Sequence, residues 1–502
     1  MPHFLIQFAQ QHEEFRLPEL EALATIENVQ MTYNPDDYSL ESPFLIVEVE
    51  SAEKAALLLN RAILIKTIIE LWGTGSSWDE LVDKVKEHPE RWPPYLYTTF
   101  KFSVVTFGGT IEMKDKPEII DRFAFTGFLG KIDLKKPEEE FLLIADYGID
   151  PNCKIAHTFY MGRLVGHGKR DLIEKFNVKK RRYIGNTTMD AELSLIMANQ
   201  ALCGPGKLVY DPFVGTGSFL MTCAHFGAMT MGSDIDGRQI RGKGKASVHS
   251  NSEQYGLTGR VLDTVVFDIC HAPWRRVSGG LFDAIVTDPP YGVRAGAKTL
   301  GRKDSAKQAT EPRMAVDEGV YAHLLPDYIP PTKPYEMSQV VADLLMFAVK
   351  NLVRGGRLVY WLPTVTEDYS IDDLPTHPCM ELISNCEQAF GQWSRRLITM
   401  EKVKDWDGEA ALGPPTGDMN KSTTAPKQQG HFGFRDRYFA FNIVENAKRK
   451  KELKEAFHQG GVEAVAACVK QQEAEKKQRQ QQQQQQEQDR QESEAQHTKN
   501  LE

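Results

Sequence analysis

Apolar positions near the start of the chain switch between two periods. FLIQF (4–8) and FLIVEVE (44–50) read as strands, and residues 12–26 read as a helix with Phe15, Leu17, Leu20, Leu23 and Ile26 turned inward. The unbroken run AEKAALLLNRAILIKTIIELWG (52–73) predicts one long apolar-faced helix, and TFKFSVVTFGG (99–109) and EEFLLIADYG (139–148) predict further strands. The first 165 residues thus divide into two small α+β units, with a boundary expected near residue 70.

Beyond residue 184 strands and helices succeed one another regularly, the pattern of a parallel sheet covered on both faces. KLVYDPF (207–213), MTMGSDI (229–235), VLDTVVFDI (261–269), FDAIVTD (282–288) and RLVYWLP (357–363) are the predicted strands. Helices are expected over 217–226, 238–255 and 336–353, the last stopped by Arg354-Gly355-Gly356. RRLITMEKV (395–403) and YFAFNIV (438–444) are expected to close the sheet as an antiparallel pair. Residues 294–335 and 404–430 lack periodicity and read as long loops, and the Lys/Glu/Gln-rich stretch 446–502, with glutamine from Gln480 to Gln486, reads as a disordered or weakly helical tail.

Composition narrows the class. At 502 residues and 41% hydrophobic content the chain can bury several cores, and it holds no uncharged apolar run long enough to cross a bilayer. MPHFLIQFAQQHEEF has neither the basic start nor the apolar core of a signal peptide, so a cytoplasmic location is expected. The seven cysteines are scattered without metal-ligand spacing, which predicts reduced thiols and no metal. A net charge of -9 argues against binding a polyanion through bulk charge and leaves only a local basic surface for it.

Such a surface exists between the two halves. Lys169, Arg170, Lys175, Lys179, Lys180, Arg181 and Arg182 fall within fourteen residues that hold two acids, with Phe176 and Tyr183 interleaved as ring platforms. A solvated connector helix explains that composition; so does a strip contacting the phosphates of RNA or DNA.

The chemistry concentrates at strand ends. DPFVGTGSF (211–219) places Gly215 and Gly217 where a buried strand turns into a helix, without the Gly-Lys-Ser/Thr of a phosphate loop or the third glycine of a dinucleotide fingerprint. Asp211, Asp234 and Asp268 end successive predicted strands, and in an open parallel sheet such ends face one crevice. An acid after the second strand suits ribose hydroxyls, one after the third suits an adenine amine, and a cationic sulfonium prefers acids to the amide-lined pocket of a pyrophosphate. Singly, each aspartate serves equally well as a helix cap. VTDPPYGV (286–293) opens beside the same crevice, and its prolines are also ordinary turn chemistry. Read functionally, Asp288 and the Pro289 carbonyl each accept one N–H of a planar amine while Tyr291 stacks on its ring, Pro290 stiffens the turn and Gly292 lets the chain leave.

DPFVGTGSF followed by DPPYG 77 residues after its first aspartate resembles the amino-methyltransferase branch of S-adenosylmethionine-dependent enzymes. With RRYIGNTTMDAELSLIMANQALCGPG (181–206) leading into it, residues 1–445 resemble the tRNA guanine-10 N2-methyltransferase family. The resemblance implies a ferredoxin-like unit (1–70), a tRNA-gripping THUMP domain (71–165), a basic linker (166–183), a Rossmann-like seven-stranded methyltransferase domain (184–445) and a tail (446–502). It implies that Asp211, Phe213, Gly215 and Gly217 line the methionine end of S-adenosylmethionine, Asp234 its ribose and Asp268 its adenine. Asn186 and Thr187 border the cofactor, and Asp288, Pro289, Pro290 and Tyr291 form the catalytic tetrad. The implied partners are tRNA and a small zinc-containing activator subunit that adds to the edge of the methyltransferase sheet. The alternatives are the same chemistry on DNA adenine N6, cytosine N4 or a protein glutamine amide, or a tRNA-binding subunit without catalysis.

Overall fold

The computed structural model of the chain describes residues 1–150, 153–275, 277–293, 297–301, 321, 330–408 and 434–439. Two seven-stranded sheets organise these residues. The first is built from β1 (His3–Phe8), β2 (Met31–Thr32), β3 (Phe44–Val49), β4 (Ile65–Gly75), β5 (Phe100–Phe107), β6 (Glu139–Asp146) and β7 (Thr158–His167), in the order β2-β3-β1-β4-β7-β6-β5. Its neighbours are antiparallel except the parallel pair β5 and β6.

This sheet corrects two expectations. The run 52–73 is not one helix: Ala52–Leu58 is helical and Ile65–Gly75 is the strand β4. Leucine at helical spacing gives way there to the β-branched Ile65, Thr67, Ile68 and Ile69, whose stiff side chains suit a pleated, buried strand. Because β4 runs across residue 70 and bonds to β1 on one side and β7 on the other, a unit boundary expected at that residue falls inside a shared strand.

The second sheet holds β8 (Leu208–Asp211), β9 (Met229–Asp234), β10 (Val261–Val266) and β11 (Phe282–Thr287), then, after a small hairpin of β12 (Lys298–Leu300) with β13 (Thr332–Pro334), β14 (Leu352–Val365), β15 (Met380–Ala389) and β16 (Trp393–Lys402). The order is β10-β9-β8-β11-β14-β16-β15, parallel from β10 to β14 and antiparallel at β16 and β15. The closing partner of β16 is therefore β15, not residues 438–444; Tyr438 and Phe439 are helical, and 440–444 lie outside the described residues, as do the tail and most of both expected loops. The helix expected over 238–255 is two, Gly237–Arg241 and Val248–Tyr255, broken by Gly242 and Gly244 at φ of 71° and 62°.

Helices Ala191–Gln200 and Ser218–His225 cover one face of this sheet, and Met337–Asn351 covers the other. The core beneath the first two continues into the N-terminal lobe through Ala9, Phe15, Ile63 and Leu64, which flank its sheet, and takes in Leu172 and Phe176 of the connector. A buried polar network lies at the same junction. The Glu19 carboxylate accepts from the Ile63 and Leu64 amides at 3.2 and 2.7 Å and from the Asn199 amide at 2.6 Å. Arg61 Nε donates to Asn199 Oδ1 at 2.7 Å, its terminal nitrogens donate to the Cys203 and Ala198 carbonyls, and its guanidinium lies 3.8 Å from the centroid of the Phe226 ring. A buried charge of this kind persists only when paired and hydrogen-bonded, so these contacts hold the two sheets in one arrangement.

Candidate active site

Strand order reverses between β8 and β11, which makes their carboxyl ends the natural crevice for a ligand. Asp211 ends β8 and Thr287 ends β11, and the Thr287 hydroxyl donates to Asp211 Oδ1 at 2.7 Å, joined by the Phe213 amide at 3.0 Å. Asp211 is 1% exposed and its Oδ2 has no hydrogen-bond partner among the described residues. Burial pushes its carboxyl up to about 8; Thr287 and the Phe213 amide oppose the rise, and Asp234 and Asp288 add to it. A buried, half-satisfied acid next to other acids is suited to a cation.

The turn after β8 wraps that acid. Gly215 and Gly217 adopt φ of 48° and 80°, the left-handed region, and a Cβ on Gly217 would sit 2.9 Å from Val248. Asp234 at the end of β9 clamps the turn, accepting from the Gly215 amide at 3.0 Å and the Asp236 amide at 2.8 Å. Burial pushes its carboxyl above the usual range, with those two amides opposing. Asn186 and Thr187 are exposed on the loop that enters from the connector, and this loop is tied to the glycine turn by the Thr188 and Thr216 hydroxyls at 3.0 Å.

Asp268 is more enclosed than the sequence suggests. It follows β10 as the cap of a short turn, and its carboxylate accepts from the Cys270 amide at 3.1 Å, the Thr299 hydroxyl at 2.7 Å and the Leu300 amide at 2.8 Å. Burial raises its pKa, but these donors outweigh it and hold the carboxyl below the usual range. The β12 strand is thus fastened over this end of the crevice.

The DPPY segment leaves β11 beside Asp211. Tyr291 Oη donates to Asp288 Oδ1 at 2.6 Å, and the Tyr291 ring packs on the core that contains Trp361. Burial pushes the Asp288 carboxyl up to about 6, against the bond from Tyr291 and the charge of Arg395. Pro289 is buried, Pro290 is half-buried, and Gly292 turns at φ of 77°. Sequence reasoning missed Thr287, which directly precedes DPPY at the end of β11, and Arg395 and Trp361, which reach the site from β16 and β14.

The basic segment divides. Lys169, Lys175, Lys179, Lys180 and Arg182 are exposed. Arg181 is 5% exposed and donates to Ser218 Oγ at 2.7 Å, and Arg170 donates to the Ile63 carbonyl at 2.7 Å and pairs with Glu192 at 3.0 Å. Those two arginines fasten the connector to the domains rather than facing a polyanion, which corrects their expected role. Phe176, expected as a platform, is fully buried, while Tyr183 is half-buried with its hydroxyl on the Gln239 carbonyl.

Two family models match the chain: a Tmrp11 THUMP N-terminal domain over residues 2–170 and an RMKL-like methyltransferase domain over residues 179–307. The chain is 40% identical over 470 residues to tRNA (guanine(10)-N(2))-methyltransferase TRMT11 of Homo sapiens, covering 90% of this chain and 98% of that protein. It is 38% identical over 475 residues to tRNA (guanine(10)-N(2))-methyltransferase of Schizosaccharomyces pombe, covering 88% and 97%. Among solved structures it is similar to TrmN from Thermus thermophilus, with a TM-score of 0.37 and 14% identity over 80% of this chain and 100% of that one.

Proposed function

The chain belongs to the tRNA (guanine(10)-N(2))-methyltransferase family, and from that premise we propose that it transfers a methyl group from S-adenosylmethionine to the exocyclic N2 of guanine 10 in tRNA. The observation that carries the reading is the meeting of Asp211 and Asp288 at the β8/β11 reversal, which sets a cation-seeking acid and an amine-seeking acid on one crevice. S-adenosylmethionine supplies a methyl group on a sulfonium and, through its adenosine, the handles for binding. The partnerless Asp211 Oδ2 fits its positive end, Phe213, Gly215 and Gly217 let the backbone approach, Asp234 takes the ribose, Asn186 and Thr187 border it, and Asp268 stands at the adenine end.

The remaining work falls to DPPY. The guanine amine is a poor nucleophile because its lone pair is delocalised into the ring. Asp288 and the Pro289 carbonyl each accept one N–H, which turns the lone pair out of the ring plane toward the methyl carbon. The N–C bond forms as the sulfonium S–C bond breaks, its electron pair remaining on sulfur as a neutral thioether, and Asp288 is the nearest base for the proton the methylated amine gives up. Tyr291 supports the base, and stacking of this kind is worth about 1–3 kcal/mol, similar to what unstacking a base costs.

The same proposal assigns RNA gripping to residues 1–165, with the exposed lysines of 166–183 contacting phosphates on the way to the catalytic domain at 184–445. Edge strand β10 supports the zinc-containing activator as partner: among the described residues it bonds to β9 alone, and it exposes Leu262 and Val266 by 52% and 53%. The opposite edge, β15, already meets the N-terminal lobe through Glu14 and the Glu387 amide. No helix among the described residues is long and apolar enough to cross a membrane, in keeping with action on tRNA in the cytoplasm.

The test is methylation of unmodified tRNA by the protein with its activator, read by nucleoside mass spectrometry. N2-methylguanine at one position is expected, and Asp288→Ala should lower kcat by about 100-fold or more with S-adenosylmethionine binding retained. Methyladenine or methylcytosine as product would replace guanine with another planar amine.

A further inference from the structure

We propose that Arg395 is a positioning residue for the methyl transfer: clamped on the Trp361 ring, it holds the Tyr291 hydroxyl and through it aims the Asp288 carboxylate at the base amine. The inference rests on the reading of DPPY given above.

Strand register brings Arg395 to the site. β14 runs parallel to β11 with Thr287 opposite Tyr360, so Trp361 lies just past the end of β11. β16 returns antiparallel with Arg395 opposite Pro363, at the level of the segment that follows Thr287. The Arg395 guanidinium carbon lies 4.2 Å from the Trp361 ring centroid, its Nε donates to Gln388 Oε1 at 2.7 Å, and Nη1 lies 3.9 Å from Met189 Sδ. An arginine held on three sides loses little freedom in pointing its remaining N–H groups at one target.

That target is Tyr291. The Arg395 charge acts on the Tyr291 phenol; a guanidinium only donates, so its approach to the Tyr291 oxygen leaves the phenol proton for Asp288 Oδ1, 2.6 Å from Tyr291 Oη. The bond order fixes one carboxylate oxygen and leaves Oδ2 for the amine. It also favours the charged form of Asp288, and only the charged form accepts on both oxygens. The other charges around this group come from three elements. Asp211 at the end of β8 and Asp288 repel across the crevice. His12 of the N-terminal lobe faces Arg395, and Asp190 and Glu192 at the start of the 191–200 helix face His12.

The experiment is the pH profile of kcat/KM from pH 5 to 9 with unmodified tRNA and saturating S-adenosylmethionine, for wild type, R395K, R395Q, Y291F and the R395Q/Y291F pair. Activity falls as the acid protonates, so the wild-type profile should fall below about pH 6. R395Q should move that limb up by about one pH unit, which is roughly tenfold lower activity at pH 6 and far less at pH 9. R395K, which keeps the charge, should keep the limb, and R395Q should add less in the Y291F background than alone, since it acts through Tyr291. The KM for S-adenosylmethionine should not move.

A uniform loss at every pH in R395Q and R395K alike, or full additivity with Y291F, would make Arg395 a packing residue and overturn the inference. Should R395Q not fold, R395K against Y291F reads the same limb. A wild-type product other than N2-methylguanine with the limb still shifting overturns the guanine reading alone, and a wild type that methylates no base overturns both.

Discussion

Four acids, Asp211, Asp234, Asp268 and Asp288, share one crevice, and the most buried of them, Asp211, decides how a cofactor is received. Asp211 has one oxygen bonded by Thr287 and Phe213 and one without a partner among the described residues, and burial lifts its carboxyl to about 8. Near neutrality the free protein therefore holds that carboxyl mostly protonated. A sulfonium or ammonium beside it favours the ionised form, so binding S-adenosylmethionine should release a proton between about pH 5 and 8 and release none well above 8. Calorimetry in two buffers of different ionisation heat measures the release directly, and Asp211→Asn should abolish it. The linked stability has a definite sign: a carboxyl raised above its unfolded value stabilises the fold at low pH, and this contribution fades as pH rises from about 4 through 8. Proton release that is equal in wild type and Asp211→Asn would place the titrating group elsewhere.

At the scale of elements, the turn between β8 and the Ser218–His225 helix is the part most sensitive to a single methyl group. Gly217 caps that helix at φ of 80° with Val248 behind it, so Gly217→Ala combines a left-handed alanine with a clash of 2.9 Å against a side chain. We expect a loss of about 1–2 kcal/mol in thermal unfolding, together with weaker cofactor binding because the turn must shift. This turn was legible in the sequence because all its parts are local: an apolar strand, a terminal aspartate and two glycines within seven residues. DPPY was legible for the same reason. The 52–73 run was not, since a continuous apolar stretch has no period that separates a buried helix from a buried strand. β15 was missed because an edge strand buries little: Glu381, Leu382 and Ile383 are all exposed, and MELISNCEQA has no strong apolar face. Arg395 and Trp361 belong to strands that were correctly expected, but their meeting with Tyr291 depends on register between β11, β14 and β16, which no local pattern encodes.

On the scale of the whole molecule, the connector has two jobs that its charge pattern does not separate. Arg170 and Arg181 are spent inward, and with Glu19, Arg61 and Asn199 they fasten the N-terminal lobe to the helix 191–200 side of the catalytic domain. Lys175, Lys179, Lys180 and Arg182 remain on the surface, beside the exposed loop of Asn186 and Thr187. A tRNA held by the N-terminal lobe and entering the crevice passes this strip, so its affinity should carry the signature of counterion release. Replacing Lys175, Lys179 and Lys180 together with alanine should reduce the slope of log K against log salt by about 2 to 3, while melting and S-adenosylmethionine binding stay unchanged. Arg181→Ala is the contrasting variant. It removes the donor to Ser218 at the head of the helix behind the glycine turn, so it should lower stability by about 1–3 kcal/mol and leave the salt slope near the wild-type value. Equal salt slopes for wild type and the triple-lysine variant would show that the strip is a solvated connector, and that the phosphates are met by the N-terminal lobe alone.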